Sequence, residues 1–262
     1  MLARTSRWQK IVVGNWKMCR DLDRLHEIDR IAAAAQRLDL EVVLCPPFPL
    51  IPLARPADRA RLRIGAQDCH HEVEGAHTGS ISPAMLRAIG ATHVIVGHSE
   101  RRTACGETDA MICAKAAAAT RAGLIAIVCV GETADERAAG IAEAIITDQI
   151  DRSIPASARP EELMIAYEPI WAIGSGATPT ESEIADVHRS IRAGLSRTLG
   201  PQHAAETRIL YGGSVTGANA GQLLGIADVD GVLVGAASLT AESFVPIIEA
   251  AALAYAVHAA AA

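Results

Sequence analysis

The sequence predicts one α/β domain folded as a closed (β/α)8 barrel, and three observations carry that prediction. Eight short apolar runs punctuate the 262 residues, each followed by polar or Gly/Pro-rich residues and then a helical stretch. No Pro/Ser/Gly-rich linker or charge run interrupts the series, so a single domain is expected over residues 1–262. Strict alternation of strand and helix implies a parallel sheet covered by helices. Eight units fit a closed barrel better than an open doubly wound sheet, which would favour a Gly-x-Gly-x-x-Gly after its first strand. None is there.

The strands, in order, are Ile11–Val13, Glu41–Cys45, Leu62–Ala66, His93–Val96, Leu124–Val130, Leu163–Tyr167, Arg208–Tyr211 and Gly231–Val234. Their starts lie roughly 20 to 45 residues apart, the span of a β-α unit. Between the first two, Leu25, Ile28, Ala32 and Ala35 recur at three and four, the spacing of an amphipathic helix. After the sixth, Ile184, Val187, Ile191, Leu195 and Leu199 do the same.

Composition narrows the function. Half the residues are apolar and 21% charged, ordinary for a globular protein in water, and the net charge of −6 argues against a nucleic-acid surface. No apolar stretch approaches the length of a membrane span. Met1 to Lys10 has basic residues but no apolar signal core, and reads as a lead-in to the first strand. Cys19, Cys45, Cys69, Cys105, Cys113 and Cys129 are widely spaced with no Cys-x-x-Cys, as expected of reduced, mostly buried thiols in the cytoplasm. Cys69-His70-His71-Glu72 with His77 matches no zinc spacing, so no metal is expected. Of 24 basic residues only Lys10, Lys17 and Lys115 are lysines, which hints that these positions want a compact ammonium.

The most informative run is Ala166-Tyr167-Glu168-Pro169-Ile170-Trp171-Ala172-Ile173-Gly174-Ser175-Gly176. An apolar strand delivers one carboxylate, and the glycine-ended segment behind it has the makings of a lid. In a barrel the C-terminal ends of all strands share one face, so residues just beyond them are neighbours however distant in sequence. That face gathers Gly14-Asn15-Trp16-Lys17 after strand one, Gly97-His98-Ser99-Glu100-Arg101-Arg102 after strand four, and Glu168 after strand six. Gly212-Gly213-Ser214 and Gly235-Ala236-Ala237 follow strands seven and eight. An ammonium, an imidazole and a carboxylate thus meet small residues whose backbone N–H groups can approach an anion. A phosphorylated small molecule suits such a pocket.

At these residues the sequence resembles the triosephosphate isomerase family. Asn-Trp-Lys, Val-Gly-His-Ser-Glu-Arg-Arg, Ala-Tyr-Glu-Pro-Ile-Trp-Ala-Ile-Gly and Tyr-Gly-Gly-Ser-Val stand in that family's order and spacing, and the match runs over roughly residues 8 to 256. The resemblance implies a TIM barrel and a cofactor-free isomerase of glycolysis and gluconeogenesis, interconverting dihydroxyacetone phosphate and glyceraldehyde 3-phosphate. Glu168 would be the base, His98 with Asn15 would polarise the carbonyl, and Lys17 would offset substrate and enediolate charge. Backbone N–H groups of Gly174, Ser214, Gly235 and Ala236 would hold the phosphate, under a lid from Pro169 to Pro179. A helix starting at Ser99 would keep His98 neutral; the family is itself the standard illustration of that effect. For Glu100 three roles stay open: orienting Lys17, moving a proton, or pairing with an arginine. The resemblance also implies a homodimer formed through the loop around Thr78. A tetrulose-phosphate isomerase of the same family and a non-catalytic phosphate-binding relative are the competing readings; the short lid favours three carbons, and the retained Glu168, Lys17 and His98 favour catalysis.

Four positions depart from the family pattern. Ser80 lacks a carboxylate expected to pair with Arg101 or Arg102, which weakens the expected interface. Ala236 replaces a glycine, tolerable only if its φ is negative. Ser175 replaces a lid threonine. Cys19 stands where asparagine is common, in a place expected to face the partner's strand-three loop.

Overall fold

The computed structural model describes residues 9–19, 24–54, 61–173 and 178–260. Eight parallel strands close into a barrel in sequence order: β1 (Ile11–Asn15), β2 (Val42–Cys45), β3 (Leu62–Ala66), β4 (His93–Val96), β5 (Ile125–Val130), β6 (Leu163–Tyr167), β7 (Arg208–Tyr211) and β8 (Gly231–Val234). Closure is made by β1 against β8, with Ile11 opposite Gly231 and Gly14 opposite Val234.

Residues of one parity point into the barrel and those of the other meet the helices. Ile11, Val13, Val43, Met164, Ala166 and Leu233 belong to the interior cluster. Val12, Leu44, Val94, Ile165 and Val232 instead pack with α1 (Leu25–Arg37), whose Ile28, Ile31 and Ala35 form its buried face, and with its fellow helices. Because both faces are covered, the strands read as continuous apolar runs rather than alternating ones.

The helical layer is more divided than one helix per strand. After α2 (Ile51–Ala54) and α3 (Pro83–Ala88), two helices follow β4: α4 (Ser99–Cys105) and α5 (Asp109–Arg121). The break lies where Gly106 adopts φ 65° and the Thr108 side chain accepts the Met111 N–H to start a new helix. Two also follow β5, α6 (Ala134–Ala138) and α7 (Ala142–Ser153), and two follow β6, α8 (Glu181–Leu199) and α9 (Pro201–Glu206). Both α6 and α8 open with reciprocal capping boxes, Thr133 with Glu136 and Thr180 with Glu183. After α10 (Ala220–Leu224), α11 (Ala241–Ala260) closes the ring. Among the described residues no helix is long and apolar enough to cross a membrane.

Candidate active site

The period of two that fills the barrel also builds the site. On β1 the inward row Ile11, Val13 continues to Asn15, and on β6 the row Met164, Ala166 continues to Glu168. Asn15, Lys17, His98, Glu168, Ser214, Gly235 and Ala236 line one cavity of about 450 Å³ at this end of the barrel, with Gly212 and Gly213 beside them. Of the expected site residues, Glu100 stands at its edge and Gly174 lies outside the described residues, as does Ser175. The described flanks of the expected lid are a 3-10 turn, Ile170–Ala172, and the start of α8.

Glu168 is 2% exposed and fixed from both sides. Its backbone N–H donates to Val130 O at 2.8 Å, and a Cβ on Gly131 would fall 1.8 Å from the Glu168 carbonyl oxygen, so only glycine lets β5 pass this closely. Its Oε2 accepts the Ser99 N–H at 2.9 Å and its Oε1 meets His98 Nε2 at 2.9 Å. Burial opposes the charge of Glu168, but His98 and the Ser99 N–H outweigh it and bring its pKa below the usual carboxylate range. At neutral pH the group is therefore ionised.

His98 is the N-cap of α4, brought there by Gly97 at φ 69°, where a Cβ would also strike Ile112 at 2.7 Å. Its Nδ1 accepts the Glu100 N–H at 3.2 Å. Burial disfavours a charged ring, while the Glu168 carboxylate draws a proton toward it, and the balance of those two raises its pKa. The Glu100 N–H works against that rise: a second ring proton on Nδ1 would lose this bond and set N–H against N–H at a helix N-terminus. With Nδ1 accepting that bond, the ring presents Nε2 to Glu168.

Lys17 has φ 50°, a left-handed backbone uncommon for lysine. Two side chains hold it there. Asn15 Oδ1 accepts the Lys17 N–H at 2.9 Å, and Gln67 Nε2 donates to Lys17 O at 2.8 Å and to Cys45 O at 2.9 Å. Gln67 was missed in the sequence, although it is the next inward position after Gly65 on β3. The Lys17 ammonium pairs with Glu100 at 2.6 Å, so of the three roles left open for Glu100 the geometry shows the pairing with Lys17 and no arginine partner among the described contacts.

Ala236 opens a 3-10 turn, Ala236–Ser238, and has negative φ: the described non-glycine residues with positive φ are Lys17, Asp39 and Asp228. Ser80 leaves neither arginine bare, because Arg101 pairs with Asp68 at 2.9 Å and Glu107 at 2.6 Å, and Arg102 with Asp109 at 2.6 Å. Lys115 completes this group by reaching Asp68 at 2.7 Å and Glu107 at 2.6 Å. All six cysteines are free, but only Cys45, Cys69 and Cys129 are buried; Cys105 is exposed and Cys19 and Cys113 half-buried. His70 stacks on His71 and His77 at 4.5 and 4.1 Å, ring against ring, and among the described residues no group is placed to hold a metal ion.

Fold and site together define a (β/α)8-barrel enzyme that takes a small anionic substrate at the C-terminal mouth of the barrel. The chain belongs to the triosephosphate isomerase family, whose model matches residues 10–251. It is 46% identical over 243 residues to triosephosphate isomerase of Ruegeria pomeroyi, covering 92% of this chain and 97% of that one. With triosephosphate isomerase of Xanthobacter flavus it shares 49% over 247 residues, 94% and 99% of the two chains. The crystal structure of triosephosphate isomerase from Bartonella henselae superposes with a TM-score of 0.86 at 41% identity, over 93% of this chain and 99% of that one.

Proposed function

We propose that this site interconverts dihydroxyacetone phosphate and glyceraldehyde 3-phosphate by moving a proton between C1 and C2, with residues 1–262 acting as one catalytic domain. The observation that carries the reading is the direct contact of a buried carboxylate with Nε2 of His98 at 2.9 Å, in a cavity that also holds Lys17. Glu168 meets the very ring nitrogen that a substrate carbonyl requires. Binding therefore separates the pair: Nε2–H passes to the carbonyl oxygen, and the freed carboxylate turns to the neighbouring C–H. Its conjugate acid then returns a proton to the other carbon, while the hydroxyl proton passes from one enediolate oxygen to the other by way of His98.

Proton removal leaves an enediolate, and donors already aimed at its oxygens lower the barrier without reorganising. His98 and Asn15 supply those donors. A neutral imidazole suits this work, since an imidazolium would hand over its proton and stop. Lys17 offsets the charge of the phosphate and of the developing oxyanion, with Glu100 fixing its ammonium. Backbone N–H groups of Ser214, Gly235 and Ala236, joined by Gly174, hold the phosphate; these small residues leave room for an anion to approach the chain. The lid from Pro169 to Pro179 excludes water, limiting loss of phosphate from the enediolate.

The chain works as a cytoplasmic homodimer through the loop around Thr78. Two exposed apolar side chains support the pairing, Met18 beside Lys17 at 97% exposure and Val73 before the loop at 63%. Steady-state assay of both substrate classes tests the function. The triose phosphate should exceed erythrulose phosphates in kcat/KM by at least about tenfold; a preference for the four-carbon sugar, or no turnover of either, overturns the proposal.

A further inference from the structure

At the mouth of the barrel β5 outlasts its neighbour β4. The last pair between them is Val96 with Val128, after which Gly97 at φ 69° turns the chain toward His98. On its other edge the chain of β5 runs on beside that of β6. Val130 O accepts the Glu168 N–H at 2.8 Å, and Glu132 O accepts the Ile170 N–H at 3.1 Å. The backbone groups of Cys129 and Gly131 turn instead to the edge that β4 has left, where buried N–H and C=O groups require partners. Side chains supply them. Cys129 O accepts Arg102 Nη2–H at 3.0 Å. Gly131 N–H donates to Gln149 Oε1 at 2.8 Å, and Gly131 O accepts Gln149 Nε2–H at 3.0 Å. The amide of Gln149, reaching over from α7, thus replaces one rung of a strand that has ended.

We propose that Gln149 is a positioning residue for Glu168, acting through the backbone of Gly131. The inference rests on the reading that Glu168 is the base. Gly131 is the surface against which that base is set: a Cβ there would lie 2.8 Å from the Glu168 carbonyl carbon and 3.4 Å from its Cα. Only glycine permits the approach, and glycine has the least conformational preference of its own. Its N–H and C=O must therefore be tied from outside, and a primary amide does so by carrying a donor and an acceptor on one planar group. Gln149 does not line the substrate cavity, so its effect reaches the chemistry through Gly131 alone. Without the amide Gly131 is free to rotate, and the displacement passes to Glu168, where a shift near 1 Å can cost roughly 10²-fold.

The test is a double-variant cycle assayed on glyceraldehyde 3-phosphate: wild type, Gln149→Met, Glu168→Asp and the pair combined. Gln149→Glu is assayed beside them, because it keeps the bond from Gly131 N–H while losing the one to Gly131 O; circular dichroism follows the fold of each. Gln149→Met, similar in length but without the amide, should lower kcat by about tenfold and move KM by less than about twofold. Gln149→Glu should also lower kcat with KM held. In the Glu168→Asp background the base is already withdrawn, so Gln149→Met should cost less than about threefold more, since two changes acting on one displacement do not add. A further tenfold loss in that background, a KM that rises as kcat falls, an unchanged kcat in Gln149→Met, or loss of the fold in both Gln149 variants overturns the inference alone. An unchanged kcat in Glu168→Asp overturns the underlying reading and the inference with it.

Discussion

Replacing Glu168 with aspartate keeps the charge and withdraws the carboxylate by one C–C bond, about 1.5 Å. The backbone cannot follow to compensate. Glu168 N–H is bonded to Val130 O at 2.8 Å, Gly212 N–H to Tyr167 O at 2.7 Å, and Gly131 already sits where no Cβ fits. The two 2.9 Å contacts, to His98 and to the Ser99 N–H, therefore open beyond hydrogen-bonding range. The same displacement separates the base from the carbon acid. Since a misplacement near 1 Å can cost roughly 10²-fold, kcat should fall by about 10²-fold or somewhat more. KM should move by less than about threefold, because the phosphate grip and Lys17 are untouched. Coupled steady-state assays in both directions give the two constants, and circular dichroism confirms that the variant is folded. An unchanged kcat would remove Glu168 as the base.

Three further outcomes follow from the same geometry. Lys17→Met should lose substrate binding and turnover together, and Lys17→Arg should not restore them, since a compact ammonium on a left-handed backbone fills this place; near-full activity of Lys17→Arg in the coupled assay would refute that. His93 and His188 are fully buried, each with Nε2 unpartnered and a pKa pushed down to about 4 by burial. A base with a depressed folded pKa keeps its full stability above its unfolded value near 6.5 and loses it as pH falls toward 4, so urea unfolding at fixed protein concentration should show about 2 kcal/mol lost per histidine between pH 7.5 and pH 5. His188→Gln, which retains a donor for Asp228 O, should abolish its share; an identical pH dependence in wild type and variant would contradict the neutral assignment. Ala236→Gly should change phosphate affinity by under about 1 kcal/mol, because alanine already sits at negative φ; a larger change by calorimetry would mean that its side chain matters.

Much of this was legible in the sequence, for a physical reason. Strands covered on both faces must be apolar throughout, so β3, β4, β6, β7 and β8 coincide with the runs read from the sequence. β1 extends two residues further, to Asn15, because pairing with Leu44 and Cys45 continues after the apolar residues stop. The same period places Asn15 and Glu168 at the barrel mouth, which is why the catalytic candidates could be named without coordinates. What sequence could not show is side-chain pairing across long separations. The group Arg101, Lys115, Asp68 and Glu107 joins α4, α5 and the loops after β3 and α4, and nothing local marks it. Gln149 lies in an unremarked stretch after β5 and acquires meaning only through Gly131. The contact of Glu168 with His98 was hidden too, since adjacency of two strand ends does not specify which rotamers face each other.

The central claim is that Glu168 moves a proton through an enediolate, and solvent isotope is its most direct test. Dihydroxyacetone phosphate turned over in D2O, with the product trapped by a coupling dehydrogenase, should yield glyceraldehyde 3-phosphate carrying deuterium at C2, because a proton held on a carboxylate exchanges with solvent. The label should form at a rate that falls with kcat in Glu168→Asp. Deuterium entering C2 as fast in Glu168→Asp as in wild type would contradict proton transfer by Glu168.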